Sequence, residues 1–179
     1  MDTRQMISAY LLSTTQALNL LRQHGHFGPF LIVIYSTMDT LGLLNAPPGQ
    51  LQATSSTFRT WVERYLLPRA RDPYTALDLW SARCAVLHAH STESNLTRKG
   101  DAKQIHYYSG DRHHPQNIEF VSRTAQLQGG GHMAINLTDL GTSLIEAMSA
   151  QVSPLMSACD TCAWTAERVA NLLQKFESI

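Results

Sequence analysis

An arginine and a histidine five positions apart, Arg83 and His88, carry side chains suited to acid–base chemistry at a phosphate group. An imidazole has a reference pKa of about 6.5, so His88 can take up or release a proton near neutral pH. The guanidinium of Arg83 presents a planar fork of N–H donors that matches phosphate oxygens. The pair therefore predicts a site that handles a phosphate ester.

Both residues fall in one predicted helix, residues 74–91. Apolar side chains recur there at steps of three and four, which is typical of a helix that buries one face. This predicted stripe consists of Leu77, Trp80, Cys84 and Leu87. An arginine beside such a stripe needs a partner, because desolvating an unpaired guanidinium costs several kcal/mol or more.

Asp39 is the candidate partner, because it lies in a second predicted helix, residues 29–45, that begins almost wholly apolar. A carboxylate buried there requires a cation or several donors, since burial otherwise raises its pKa and neutralises it. The alternative is that Asp39 faces solvent near the helix end. Asp78 is a weaker partner for Arg83, because five positions on one helix place the two side chains on different faces.

The segment R-C-A-V-L-H, from Arg83 to His88, resembles the R-x4-6-H motif of the HEPN superfamily. These are helical-bundle proteins that include many RNA-cleaving toxins and phage-defence effectors, and others with no known cleavage activity. The order of elements is similar too, with helices before the motif and a helical segment behind it. The resemblance covers residues 3–91 and 138–177.

Two positions depart from the family pattern. Cys84 follows the arginine, where many catalytic members have Asn, Asp or His. The subgroup partnered by minimal nucleotidyltransferases continues the motif as R-x4-H-x-Y, and His90 stands here in the place of that tyrosine. Control by modification of the tyrosine is therefore not expected.

The resemblance implies a metal-independent endoribonuclease of toxin or phage-defence type, without a cofactor, for which an antitoxin protein is a candidate partner. A base would take the proton of the ribose 2′-OH while a cation stabilises the charged transition state, roles for His88 and Arg83. Five residues at 100° each place the two positions about 140° apart around the helix axis. Two copies meeting at a two-fold axis would bring them together, as the family's dimers imply. His90 and Asp39 would then orient the set.

A different class of function fits the same residues. Arg83 paired with Asp39, and His88 as a satisfied core histidine, would form a buried polar network that fixes helix packing. The protein would then be a non-catalytic helical interaction or scaffold module, or an RNA-binding module without cleavage.

The remaining pattern predicts a mainly α single domain, residues 1–179, with a HEPN-like bundle at 3–91 and 138–177 and an insert at 92–137. Helices are also predicted at 3–23, 57–67, 161–176 and from Thr138, which would cap its helix. A small antiparallel sheet at about 103–137 would contain strands at 104–108, 117–122 and 132–136. The glycines at 129–131 would form a hairpin turn.

A basic and aromatic cluster lies in this insert. Its members are Lys99, Lys103, His106, Tyr107, Tyr108, Arg112, His113 and His114. Basic side chains can hold phosphates and tyrosines can stack on bases, so Lys99, Lys103, Tyr107, Tyr108, Arg112 and His113 are candidate RNA-binding residues. The alternative is a solvated loop whose tyrosines pack on the bundle.

Cysteine usage and charge exclude several classes of protein. Cys159 and Cys162 have the spacing of half a zinc site, but no second pair completes it, so core packing is favoured and no metal is expected. Three cysteines fit a reducing compartment. The 14 basic and 14 acidic side chains cancel, the apolar run at 29–35 is too short to span a bilayer, and no signal-peptide pattern begins the chain. We therefore expect a cytoplasmic protein without membrane contact.

Overall fold

The structure, a computed structural model, describes residues 2–89 and 93–173, apart from the side chains at 88 and 89. The described chain is mainly helical, as predicted, with one small sheet. Its helices are α1 (Thr3–Gln23), α2 (Phe27–Leu44), α3 (Ser55–Trp61), α4 (Ala76–Ala89), α5 (Asn95–Lys99), α6 (Pro115–Gln126), α7 (Leu137–Thr161) and α8 (Ala163–Leu172). Its strands are β1 (Gln104–Tyr108) and β2 (His132–Asn136).

Helix α2 is the centre of the bundle. Phe30, Ile34, Tyr35 and Met38 are almost completely buried, and the helix contacts α1, α3, α4, α7 and α8. The full helix is long enough to span a membrane and has a sufficient mean hydropathy, 1.5. The apolar run at 29–35 inside it is too short to do so alone. However, 56% of the full helix is buried inside the protein, as in the core helix of a soluble protein.

Helix α1 packs on α2 and α7 through the predicted face. Ile7, Thr14 and Leu18 are buried along it. Its first turn is closed by a capping box in which the Asp2 carboxylate accepts the backbone N–H of Gln5 and the Gln5 side chain accepts the N–H of Asp2.

Helix α3 continues into one π-helical turn, residues 62–66, and a 3-10 turn, residues 67–69. The predicted apolar face is confirmed, since all its members are buried: Phe58, Trp61, Val62, Tyr65 and Leu66. The 3-10 turn contains Pro68, whose missing N–H fits the end of the helical segment.

Helices α7 and α8 close the bundle. Asn136, not Thr138, caps α7, because its side-chain oxygen accepts the backbone N–H groups of Thr138 and Asp139. Helix α7 continues through Pro154 as one element. On α8 the buried Arg168 donates to three backbone carbonyls in the last turn of α2 and just after it. These are the carbonyls of Leu43, Ala46 and Pro47.

The prediction of an antiparallel sheet is wrong, because β1 and β2 pair in parallel, with Gln104 opposite His132 and Tyr108 opposite Asn136. Parallel neighbours need a crossover of a dozen or more residues, and helix α6 forms it here. The strand expected at 117–122 therefore lies inside a helix. The glycines at 129–131 connect this helix to β2 and do not form a hairpin turn.

Local signals for α6 were present in the sequence. His114 caps its first turn and Pro115 occupies the first helical position, where a missing N–H costs nothing. Ile118, Val121 and Ala125 follow at steps of three and four. These spacings are typical of a helix and not of the strand that was predicted at 117–122.

The buried face of α4 differs from the predicted stripe. Leu77, Trp80, Cys84 and Leu87 are only partly buried, whereas the buried positions are Ala76, Asp78, Leu79, Ser81, Ala82 and Ala85. Helix α4 contacts α2, α3, α5 and β1, so neighbours surround more than one face. Small side chains are buried because they allow this close approach.

Candidate functional site

Arg83 is held by the carboxylate predicted as its partner. Its Nε and Nη2 atoms both donate to Asp39 Oδ2, at 2.9 and 2.6 Å. The two side chains are only 16% and 14% exposed, so the pair is largely shielded from water. The alternative in which Asp39 faces solvent is therefore wrong, and this ion pair links α2 to α4.

An aromatic ring also positions the guanidinium. Arg83 Cζ lies 5.0 Å from the centre of the Trp80 ring, a cation–π geometry. Trp80 in turn packs edge-on against Phe58 of α3, with 5.4 Å between ring centres. The arginine is thus oriented by side chains from two neighbouring helices as well as its own.

The second carboxylate oxygen of Asp39 has a different environment. Within the described residues, Oδ1 is buried and accepts no hydrogen bond. A buried acceptor without a donor costs free energy. A donor brought to this site by a ligand or a second protein chain would remove that cost.

Asp78 accepts hydrogen bonds from Thr75 and Lys103. Its position on the helix had made it the weaker candidate partner of Arg83. Its carboxylate accepts the backbone N–H and the hydroxyl of Thr75, at 2.9 and 2.7 Å, and the backbone N–H of Lys103, at 2.7 Å. Asp78 therefore caps α4 and attaches it to the segment before β1. It does not neutralise Arg83.

Cys84 follows Arg83 in the motif and is partly buried. Burial raises the pKa of its thiol, and the neighbouring Arg83 only partly opposes this effect. A neutral thiol is a poor nucleophile. Cys84 therefore contributes shape to the site, and not a thiolate.

The histidines of the motif lie at the limit of the described chain. Residue 88 belongs to α4, so the arginine and histidine positions share one helix, but the His88 side chain lies outside the described residues. The predicted supporting residue His90 also lies outside them.

The two tyrosines of the predicted basic and aromatic cluster pack against other rings of the fold. The Tyr107 hydroxyl is buried and shares a hydrogen bond with the Tyr35 hydroxyl of the core, and burial raises the pKa of both phenols. Tyr108 is 9% exposed and packs on Phe120 of α6, with 5.9 Å between ring centres. Both rings are anchored in the fold, Tyr107 being partly buried and Tyr108 lining a groove with Lys103 and Arg112.

Arg112 also has a structural role. It donates to Asp72 at 2.8 Å and lies 3.5 Å from Asp139. Asp72 accepts the backbone N–H of Asn136 as well, and its burial raises the pKa of the carboxyl. Arg112 therefore ties the segment after β1 to Asp72 and to the start of α7. His113 is exposed beside it.

Lys99 and Lys103 remain exposed. Both line a polar cleft together with the glycines at 129–131. Of the predicted RNA-binding residues, Lys99 and Lys103 share this cleft, and Lys103 also lines a second groove together with Tyr108 and Arg112.

His106 and His132 form a pair that was not predicted from the sequence. His106 Nε2 and His132 Nδ1 lie 2.7 Å apart, with stacked rings. Burial and the nearby His132 lower the pKa of His106. The two histidines come together because β1 and β2 pair in parallel. The antiparallel sheet predicted from the sequence gave no reason to pair them.

Cys159 and Cys162 lie at the end of α7. Cys159 is partly buried and packs against the core, as favoured. Cys162 lies where α7 ends and α8 begins, and hydrogen bonds from Thr165 lower the pKa of its thiol. Among residues 2–89 and 93–173, no group of three or more metal-binding side chains occurs.

Comparisons with family models, curated proteins and solved structures give no match to this chain. Its site must therefore be interpreted from its own residues.

Proposed function

We propose that the protein is a HEPN-like, metal-independent endoribonuclease of toxin or phage-defence type that acts as a homodimer. The observation that supports this most is the Arg83 guanidinium, held against Asp39 and Trp80 on the same helix as His88. A cation fixed in a partly dehydrated site stabilises a developing phosphorane charge more than a mobile surface arginine does.

In this mechanism His88 removes the proton of a ribose 2′-OH. The 2′ oxygen then attacks the adjacent phosphorus, and the bond to the 5′ oxygen breaks. The products are a 2′,3′-cyclic phosphate and a 5′-hydroxyl, after the leaving oxygen has taken a proton from water. Arg83 stabilises the charge on the phosphate oxygens.

The geometry of α4 is the reason for a dimer. The positions of Arg83 and His88 differ by about 140° around the helix axis, so a second copy is needed to bring both to one phosphate.

The test is cleavage of a mixed pool of cellular RNAs by the wild type, His88→Ala and Arg83→Ala proteins. We expect each substitution to lower the rate by about 100-fold or more, because acid–base catalysis and charge stabilisation typically contribute that much. His24→Ala and Arg123→Ala are matched controls at exposed positions and should keep full activity. Product ends should be cyclic phosphate and 5′-hydroxyl.

A scaffold function is the alternative, and the same ion pair is compatible with it. In that case Arg83 acts only to join α2 to α4. Wild type and His88→Ala proteins that are equally inert on all RNAs would favour the scaffold and contradict the nuclease.

A further inference from the structure

Two grooves meet beside the proposed catalytic helix. One is lined by Trp80, Cys84 and Ala85, next to the motif. The other is the polar cleft that contains Lys99, Lys103 and the glycines at 129–131. Glu93 and Arg98 line both grooves, so the two form one continuous surface along α4 and α5.

The polar cleft is lined by equal numbers of basic and acidic side chains, namely Arg98, Lys99 and Lys103 against Asp78, Glu93 and Asp101. The Asp78 carboxylate already accepts three hydrogen bonds from the protein, and Glu93 lies 3.9 Å from Arg98. Among the described residues, no ion pair within 4 Å engages Lys99 or Lys103. Two exposed ammonium groups are therefore available at the cleft, opposed there by the Asp101 carboxylate.

The glycines at 129–131 line the same cleft with backbone. Gly129 and Gly130 have φ values of +65° and +95°, a conformation that other residues rarely adopt. A ligand can approach this main chain closely because three consecutive positions carry no side chain. Such walls suit phosphate groups, which are recognised by backbone as well as by cations.

The size and lining of the cleft favour a polymer. Its volume of about 1110 Å³ exceeds that of a typical small-molecule site. The described lining contains no Phe, Tyr or Trp, so bases would not stack there and the contacts would go to the sugar–phosphate chain. From Asp78 to residue 88, the helix that joins cleft and motif rises about 15 Å, at 1.5 Å per residue.

We propose that this continuous groove binds the backbone of single-stranded RNA, with Lys99 and Lys103 holding phosphates in the cleft that the glycines also line and the strand leading along α4 to Arg83. This proposal rests on the proposed function, because it gives the nuclease its substrate path. It also assigns recognition that is insensitive to sequence, since backbone contacts carry no base information.

The experiment measures binding of a fluorescent 12-nucleotide single-stranded RNA by anisotropy at several salt concentrations. The protein is the full chain with His88→Ala, so that cleavage does not interfere. We expect Lys99→Ala with Lys103→Ala to weaken binding at least about tenfold and to reduce the salt slope by about 1.4, at about 0.7 per phosphate contact.

Two further variants sharpen the test. Gln128→Glu changes an exposed lining residue to an isosteric acid and should also weaken binding. Arg4→Ala with Arg123→Ala removes the same two charges at exposed ion pairs and should leave affinity unchanged. Thermal unfolding checks that all variants fold.

The outcomes separate the two proposals. If the lysine and control variants bind equally well, or are equally weakened, the groove is not the path, whatever the cleavage assay shows. If the lysine variant alone loses binding but the wild type cleaves no RNA, the path stands and the nuclease fails. If the His88→Ala protein binds no RNA at all, the path proposal is overturned.

Discussion

At the scale of single residues, the pairing of Asp39 with Arg83 has the largest consequence. The exposed pair between Arg4 and Asp160 has similar geometry but 64% and 59% side-chain exposure, so water screens it. Burial therefore distinguishes Arg83, whose ion pair is shielded from water, from Arg4, whose ion pair is exposed.

We expect Asp39→Asn to lower the free energy of unfolding by about 1–3 kcal/mol, because the guanidinium keeps its charge and loses its carboxylate in a mostly dry site. Asp160→Asn is the matched control and should cost less than about 1 kcal/mol. Urea unfolding of the two variants measures the difference. Equal losses would show that the Asp39 pair has no special strength.

His106 predicts how stability changes with pH. Its pKa is lowered in the folded protein, so between that pKa and about 6.5 the unfolded chain binds more protons than the folded chain. Stability should therefore fall as pH is lowered from 7 towards 5.

His106→Gln should reduce this dependence, because the titrating group is removed while His132 keeps a polar neighbour. The midpoint of urea unfolding at pH 7 and pH 5 measures the effect. His113→Gln controls for the loss of one imidazole at an exposed position. A pH dependence that is unchanged in His106→Gln would overturn the assignment.

At the scale of elements, α2 and α3 approach so closely that one glycine is required. A Cβ on Gly42 would lie 2.8 Å from the backbone oxygen of Thr57, which cannot move without shifting α3. A Cβ on Gly28, at the other end of the same helix, would meet nothing within 4 Å.

We expect Gly42→Ala to destabilise the protein by about 1–3 kcal/mol through overpacking. Gly28→Ala should be neutral or stabilising by up to about 1 kcal/mol, since alanine favours helix. Thermal unfolding of the two variants compares the sites within one helix. A neutral Gly42→Ala would mean that α3 can move away from α2 without loss.

At the scale of the whole molecule, the proposed chemistry requires two copies. Mixing Arg83→Ala and His88→Ala proteins should restore RNA cleavage, because about half of randomly exchanged dimers would contain one intact arginine and one intact histidine. Each variant alone is the control. Exchanged dimers, verified by sedimentation, that remain inactive would contradict a site shared between copies.

The sequence predicted the helices with strong apolar periodicity well. The faces of α1 and α3 were confirmed, because repeats at steps of three and four depend only on local geometry. The partner of Arg83 could also be inferred, since burial physics leaves a charged side chain in an apolar helix few alternatives.

The insert was predicted less well for a physical reason. Strands at 104–108 and 132–136 were recognised locally, but parallel or antiparallel pairing depends on what lies between them. Reading 117–122 as a strand therefore changed the sheet, hid the pair of His106 and His132, and left the tyrosines as candidate RNA contacts.

The amino-acid sequence alone thus determined a mainly helical chain, the motif from Arg83 to His88 on one helix, and the need of Arg83 for a carboxylate. Only the tertiary structure decided which side of α4 is buried, that β1 and β2 run in parallel, and that Lys99 and Lys103 share a cleft with the glycines while Arg112 is tied to Asp72. The physical reason is the distance along the chain over which each interaction acts. Periodicity and charge act within one element, whereas packing joins residues that are distant in sequence.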